Sequence, residues 1–272
     1  MRRSGVAIGG YRNSRGRSLA RTRRAPRSRR ALIVTMAVVA VSLALLIWGG
    51  WWLLTSPEFA IARVESGAYR FSSREEIDSV MRGALGRNIW TLDTGDLGQA
   101  FEDLPWVRSV HLRRRVPDTV ALELEEWRPL LTVARSGDEV PLILVADGRV
   151  LRLPAHLPPP GLPVLVGAAV APDTTAVLRL AGSAAEQTML LLSALSATGF
   201  ESAFPVDFVR VEPEGMVLEL AQRAGRLRLG REDFDPRLRR YLLARDRIPH
   251  GATVDLRFAD RITFEPPAAQ QP

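Results

Sequence analysis

The sequence predicts an α+β protein carried on one membrane-spanning helix. Three observations lead there. Residues 31–54, ALIVTMAVVAVSLALLIWGGWWLL, run for 24 positions without a charge. Residues 57–128 follow the order strand, helix, helix, strand, strand, set by hydrophobic periods that switch between 2 and 3.6. Residues 129–265 carry short alternating strands cut by turn residues, with two helical stripes among them. That pattern describes a second, mixed α+β domain built on an antiparallel sheet. Residues 1–30 and 266–272 hold too little apolar surface to fold and are expected to be disordered tails.

The 31–54 stretch would be roughly 36 Å long as a helix, enough to cross a ~30 Å hydrocarbon core with some tilt. Trp48, Trp51 and Trp52 stand at one end, where amphipathic rings favour the membrane–water boundary. A buried core helix of this length would keep a polar face. A cleaved signal has a shorter apolar run, ~7–15 residues, ending at small residues. Here the run ends in Trp51-Trp52 and then Thr55-Ser56-Pro57, so an uncleaved anchor is expected. Residues 1–30 contain eleven arginines and no acid. Arginines beside a span stay on the cytoplasmic side, which puts the tail inside and residues 56–272 outside.

The formal net charge is +7, and every long cation is an arginine. Setting aside the eleven tail arginines leaves 26 arginines against 30 acids, a net of −4. A mildly acidic outer portion is not a nucleic-acid binder. The absence of cysteine excludes thiol nucleophiles and thiolate metal sites. His111, His156 and His250 show no metal-ligand spacing. No G-x-S-x-G elbow and no P-loop occurs. The acidic pairs Glu75-Glu76, Glu102-Asp103 and Glu125-Glu126 read as a helix start, a helix end and a strand end facing water. The expectation is therefore a protein with no catalytic residue, no cofactor and no metal. Arg113-Arg114-Arg115 reads equally as a solvated strand end or as a patch for a partner.

In the first domain, Phe59, Ile61 and Val64 form an apolar run read as a strand that Gly67 stops. Ser72 and Ser73 precede Glu75 and Glu76 at capping-box spacing. The helix that follows carries Ile77, Val80, Met81, Ala84 and Leu85 on one stripe and should end at Gly86. Ile89 and Leu92 read as inward plugs. Asp93 or Thr94 caps a second helix, faced by Leu97, Phe101 and Leu104 and stopped by Pro105. Residues 106–113 read as a strand, Val116-Pro117-Asp118-Thr119 as a turn. Val120, Leu122 and Leu124 then alternate with Ala121, Glu123 and Glu125 in a half-buried antiparallel strand.

In the second domain, residues 130–134 and 142–146 read as strands, with Asp147-Gly148 as a tight turn before Val150. Residues 154–163 hold five prolines and form a loop. LPVLVG at 162–167 is a further strand. Ser183 and Glu186 suggest a capping box for a helix that Gly199 closes. Residues 208–211 and 216–220 pair across Pro213-Glu214-Gly215, and Leu227 and Leu229 alternate up to Gly230-Arg231. Asp235-Pro236 suggests a helix start, cap then proline. Residues 254–258 and 262–264 are expected to be the last two strands.

The order of a basic tail, one span, SSREEI, GRNIWTLD and LPWVRSVHLRRRVPDTVALELEE followed by a proline resembles the FtsQ/DivIB family of bacterial division proteins. Residues 57–128 are similar to that family's POTRA domain. LPVLVG and VDLRF resemble strands of its second domain, expected here over residues 129–265. Where the family carries Glu-Arg-x-Pro, this chain reads Glu126-Trp127-Arg128-Pro129, with the basic residue displaced by one. The resemblance implies a single-pass inner-membrane protein at midcell, a scaffold without catalysis. It would link early cytoplasmic division proteins to septal peptidoglycan synthesis and hold FtsB- and FtsL-type partners. It also implies that Arg231, after the strand-ending glycine, and Phe258, closing VDLRF, belong to the partner interface. Ile262, Thr263 and Phe264 are assigned to the same interface by position, as the last strand before the tail. A second reading, a POTRA-bearing component of outer-membrane secretion or assembly, would need a β-barrel after the POTRA domain, and too few residues follow.

Overall fold

The computed structural model describes residues 29–135, 137 and 140–267. The tail expected over residues 1–30 therefore lies almost wholly outside the described residues, as do residues 268–272 of the other tail. Helix α1, Arg29–Thr55, has 27 residues, roughly 40 Å of helix. It is apolar around its whole circumference, and Leu32, Val39, Leu46 and Trp51 are all exposed. The one hydroxyl near its start, Thr35, donates back to the Ala31 carbonyl at 2.8 Å. Among the described residues this helix alone is long and apolar enough to cross a membrane.

The first folded unit begins with a turn. Ser56 caps a single 3-10 turn, Pro57–Phe59, and its side chain accepts from the Glu58 N–H. Serine followed by proline is a helix-start signature, so Phe59 and Ile61 are not part of the expected strand. That strand, β1, is Arg63–Ser66. Helix α2, Arg74–Arg82, opens with the expected capping box: the Glu76 N–H donates to Ser73 Oγ and the Ser73 N–H to the Glu76 carboxylate. It ends at Gly83, three residues early, and Gly86 at φ +78° turns the chain back. Helix α3, Thr94–Glu102, is capped by Asp93, which accepts from the N–H groups of Gly95 and Asp96. Strands β2, Val107–Arg115, and β3, Thr119–Glu126, form an antiparallel pair in which Leu112 faces Leu122. Strand β1 adds to the other side of β3 in parallel, giving the order β1-β3-β2. Val120 and Leu122 are fully buried against Ile77, Phe101 and Ile89, while Glu123 is exposed. Each arginine of the Arg113-Arg114-Arg115 run has a partner within this unit: Glu123, the Leu92 carbonyl and Glu65.

Glu126 departs from expectation. Read as a solvated strand end, it instead receives three successive backbone N–H groups on its carboxylate: Arg70 at 2.7 Å, Phe71 at 3.0 Å and Ser72 at 2.6 Å. The segment before α2 is thereby clamped to the end of β3. Phe71, held in that clamp, stacks on Trp106 with ring centroids 4.4 Å apart.

Trp106 leads into the second unit. Strands β4, Pro129–Val133, β5, Leu142–Val145, β6, Val150–Arg152, and β7, Val164–Val166, are followed by a hairpin of β8, Val170–Pro172, and β9, Leu178–Leu180. Helix α4, Ser183–Thr198, and a short α5, Phe200–Ala203, come next. Then come β10, Val206–Glu212, β11, Gly215–Leu220, β12, Gly225–Gly230, α6, Phe234–Ala244, β13, Thr253–Asp255, and β14, Thr263–Glu265. Among the described residues nine strands form one sheet, in the order β14-β13-β12-β11-β10-β7-β4-β5-β6. Most neighbours are antiparallel, while β7 runs parallel to β4 and β10, and β13 parallel to β12. Leu191 and Leu195 of α4 and Leu238 of α6 share a core with Leu165, Val209 and Leu227 of the sheet. The unbroken run of β5 has a cause in this geometry: Leu142 and Leu144 join that core, while Ile143 and Val145 join Trp106 on the opposite face. A strand covered on both faces has no polar side.

Three local readings need correction. The capping box at Ser183 does not form, because the helix starts at Ser183 itself, after Gly182 at φ +68°. Glu186 is then one position too late to reach back. Helix α6 starts at Phe234, whose ring is 4% exposed in the core, with Asp233 left-handed before it. Asp235 is thus inside the first turn and pairs with Arg239 at 2.7 Å instead of capping. The β8–β9 hairpin was not foreseen. Its turn is built by Asp173, which accepts from Thr175, Val177 and Arg179. Those donors, the Thr175 hydroxyl first, hold its carboxyl well below the usual range.

Two outcomes follow for the first unit. Leu122→Asp should unfold it, since a carboxylate in this core has no partner and costs several kcal/mol against a marginal total. Glu123→Lys, on the exposed face, should leave thermal stability nearly unchanged. Glu126→Ala should cost roughly 2 kcal/mol, because three N–H groups lose a charged acceptor; chemical denaturation of the purified protein measures it.

Candidate partner-binding edge

The nine-stranded sheet ends differently on its two sides. At one side, β6 is covered. The Arg152 carbonyl accepts the Trp106 indole N–H at 3.1 Å, and Arg149 bridges to Arg179 of the β8–β9 hairpin. At the other side, β14 is bonded to β13 alone. Its outer N–H and C=O groups have no strand beside them among the described residues, and such a row is a template for a further strand.

Phe264 sits directly opposite Val254 of β13, and directly paired side chains share a face. Val254 is 1% exposed in the core, whereas Phe264 is 46% exposed beyond the rim of that core. Ile262, two residues earlier, packs half-buried against the same core. Ile262 and Phe264 therefore extend the apolar face of the sheet to its open edge. Thr263 lies between them, exposed on the other face.

Phe258 is not in a strand. Strand β13 stops at Asp255 because the Asp255 carboxylate accepts the Arg257 N–H at 3.0 Å and turns the chain out of the sheet. The loop that follows is held from behind by Arg240 of α6. Its guanidinium donates to the carbonyls of Leu256 at 2.8 Å and Phe258 at 2.7 Å, and to that of Ala259. The Phe258 ring is 39% exposed, with the Arg261 guanidinium 4.6 Å from its centroid. Cation–π contacts of this kind prefer the ring face.

Arg231 follows Gly230, whose φ of +75° turns the chain at the end of β12. It donates to the Pro213 carbonyl at 2.6 Å, in the turn between β10 and β11. Glu214 of the same turn pairs with Arg257, which also grips Asp255 at 2.6 Å. Burial pushes the Asp255 carboxyl up, but the Arg257 hydrogen bonds outweigh it and hold the group below the usual carboxylate range. The parallel register pairs Arg228 with Asp255, so three residues further on Arg231 and Phe258 stand at the same end of adjacent strands. Arg231 is nevertheless separated from β14 by β13. The five expected residues thus fall into one contiguous group, Ile262, Thr263 and Phe264, with Phe258 in the loop beside it and Arg231 two strands inward, at the end of β12.

Sequence reasoning missed Arg240, Arg257 and Arg261. Arg240 is one of four arginines between 237 and 245, and nothing local marks which one reaches the loop. A cleft of about 570 Å3 lies elsewhere, where Phe71, Leu104, Trp106 and Leu151 meet. Of its polar lining residues, Ser73 and Glu76 are engaged in the α2 capping box and Arg149 pairs with Asp147. The β14 edge thus combines an unpaired row of backbone groups with two exposed aromatic rings, Phe264 and Phe258, the kind of edge to which strand addition applies.

The sequence model described as the POTRA domain, FtsQ-type, matches residues 59–127. This chain is 30% identical over 239 residues to the cell division protein FtsQ of Myxococcus fulvus, covering 84% of this chain and 77% of that one. It is 30% identical over 234 residues to the FtsQ of Allochromatium vinosum, covering 82% and 86%. The FtsQ of Koribacter versatilis is 26% identical over 264 residues, covering 91% and 75%. With its apolar α1, its β-α-α-β-β unit and these relatives along most of its length, the chain belongs to the FtsQ family of cell division proteins, as a single-pass membrane member.

Proposed function

We propose that this protein is a non-catalytic scaffold of the division machinery. It links early cytoplasmic division proteins to septal peptidoglycan synthesis by holding FtsB- and FtsL-type partners on its outer portion. The observation that carries this reading is the asymmetry of the large sheet: β6 is covered by Trp106 and the β8–β9 hairpin, while β14 is open, carries the exposed Phe264 and has the exposed Phe258 in the loop beside it. Strand addition supplies main-chain hydrogen bonds, and alternate side chains supply selectivity. Arg231, Phe258, Ile262, Thr263 and Phe264 form the proposed interface. The POTRA unit over residues 57–128 and the β domain over residues 129–265 act as its support.

The N-terminus is cytoplasmic and residues 56–272 are outside, on the strength of eleven arginines before the span. A reporter active only outside the cytoplasm, fused after residue 265, should be active. An expressed but silent fusion would reverse the topology. A fluorescent fusion should form a band at midcell.

Phe258→Glu and truncation after Asp260 should each abolish co-purification of an FtsB-type partner with the full-length protein. The first unit should stay folded in both. Undiminished capture by the truncated chain would place the interface elsewhere. A substitution on β2, such as His111→Ala, should leave capture unchanged.

A further inference from the structure

The small sheet has an open edge of its own. Strand β1 is bonded to β3 alone, so along its other side the N–H and C=O groups have no strand beside them among the described residues. Successive side chains of a strand point to opposite faces. Arg63 and Glu65 take one face and are engaged there, Arg63 with Asp118 at 3.1 Å and Glu65 with Arg115. Ala62, Val64 and Ser66 take the other and form one wall of a groove of about 730 Å3. The facing wall is α2, which contributes Ile77 and Met81, with Leu85 just beyond it. Ile77 and Met81 belong to the core, but Leu85 is 44% exposed. The groove thus offers unpaired backbone along one side and apolar side chains along the other, the two requirements for adding a strand.

Its charges give it a direction. Arg74, Glu75, Asp78 and Arg82 of α2 line the groove. Arg74 pairs with Asp78 at 3.7 Å. Glu75 and Arg82 form no ion pair among the described residues, and they stand in the first and last turns of the helix, roughly 10 Å apart along its axis. The helix runs antiparallel to β1. The Gly86 N–H donates to the Ile61 carbonyl and the Ile61 N–H to the Arg87 carbonyl, both at 2.9 Å, which sets the end of α2 beside the start of β1. Arg82 therefore lies toward the start of β1 and Glu75 toward its end. A segment laid antiparallel to β1 begins near Glu75 and finishes near Arg82. Its residues i, i+2 and i+4 share a face and cover roughly 13 Å, which flexible charged side chains match to the spacing of Glu75 and Arg82. We propose that the groove takes an extended segment of a partner protein as a fourth strand, antiparallel to β1, whose groove-facing residues read basic, apolar, acidic from N- to C-terminus. The apolar residue rests on Val64, Met81 and Leu85, the basic one meets Glu75 and the acidic one Arg82. This second partner site does not rest on the β14 interface.

Two fluorescein-labelled peptides of identical composition test it, Thr-Lys-Thr-Val-Thr-Glu-Thr and its reverse, Thr-Glu-Thr-Val-Thr-Lys-Thr. Each is titrated with full-length protein in detergent micelles and followed by anisotropy. The first should bind saturably and about five-fold more tightly than the second, as expected when two exposed ion pairs replace two like-charge contacts. Glu75→Gln combined with Arg82→Gln should make the two peptides equal. Leu85→Asp, at an exposed position, should abolish binding of both while the circular dichroism spectrum stays unchanged. Truncation after Asp260, which removes β14, should leave both affinities as they were. Equal affinity of the two peptides for the unsubstituted protein, no saturable binding of either, or loss of binding on removing β14 would overturn the proposal. Such a failure leaves capture of an FtsB-type partner, and with it the scaffold reading, untouched.

Discussion

The junction between the small sheet and the large one is organised around one carboxylate. Glu126 ends β3 and gathers the N–H groups of residues 70–72. A charged acceptor with several backbone donors is among the stronger hydrogen-bonded arrangements in a protein. Its consequences spread outward. It sets the entry to α2, whose own capping box begins one residue later at Ser73. It also positions Phe71 to stack on Trp106. Trp106 in turn lies over Ile143 and Val145 and reaches the Arg152 carbonyl with its indole N–H. One side chain therefore joins the small sheet to the large one and closes the β6 edge. The two units are coupled through packing and not merely through the covalent link.

Features encoded by neighbours in the chain were legible, and those encoded across the fold were not. The uncharged run of α1, the Ser73–Glu76 box, the Asp93 cap and the alternation of β3 from Leu122 onward each follow from residues a few positions apart, whereas Ala121, expected to face outward, is buried. The same kind of local pattern misled at Ser183 and Asp235, where Gly182 and the buried Phe234 decide the helix start instead. Glu126 could not be told from a solvated acid, because its donors lie more than fifty residues earlier. The β13 end shows the same limit. VDLRF alternates well enough to read as five strand residues, but Arg240 and the Asp255 turn end the strand after Asp255.

For the candidate edge, the order of the last two strands along the chain was enough to expect an open side at residues 262–264. The sequence alone had no means of telling exposed aromatics from core ones. Phe258 and Phe264 lie at 39% and 46% exposure, beside fully buried Leu256 and nearly buried Val254. The difference lies in which residues join the core shared by the sheet and the two helices: Val254 and Leu256 do, and Phe258 and Phe264 do not. The arginines around the edge are also a composite: Arg257 is spent on Asp255 and Glu214, Arg240 on three carbonyls, and Arg261 on the Phe258 ring.

Strand β14 has three residues, all of them exposed, and one ladder. Segments with few buried contacts open locally at far less free energy than the whole domain. When β14 frays, the sheet loses its cover over Val254, and the edge on offer becomes β13. A strand laid along the outer side of β14 would turn a fraying margin into an interior strand with a ladder on each side. Local order and association would then be two aspects of one equilibrium. Part of the interaction free energy would be absorbed in ordering β14, and the protection of its amides would track occupancy.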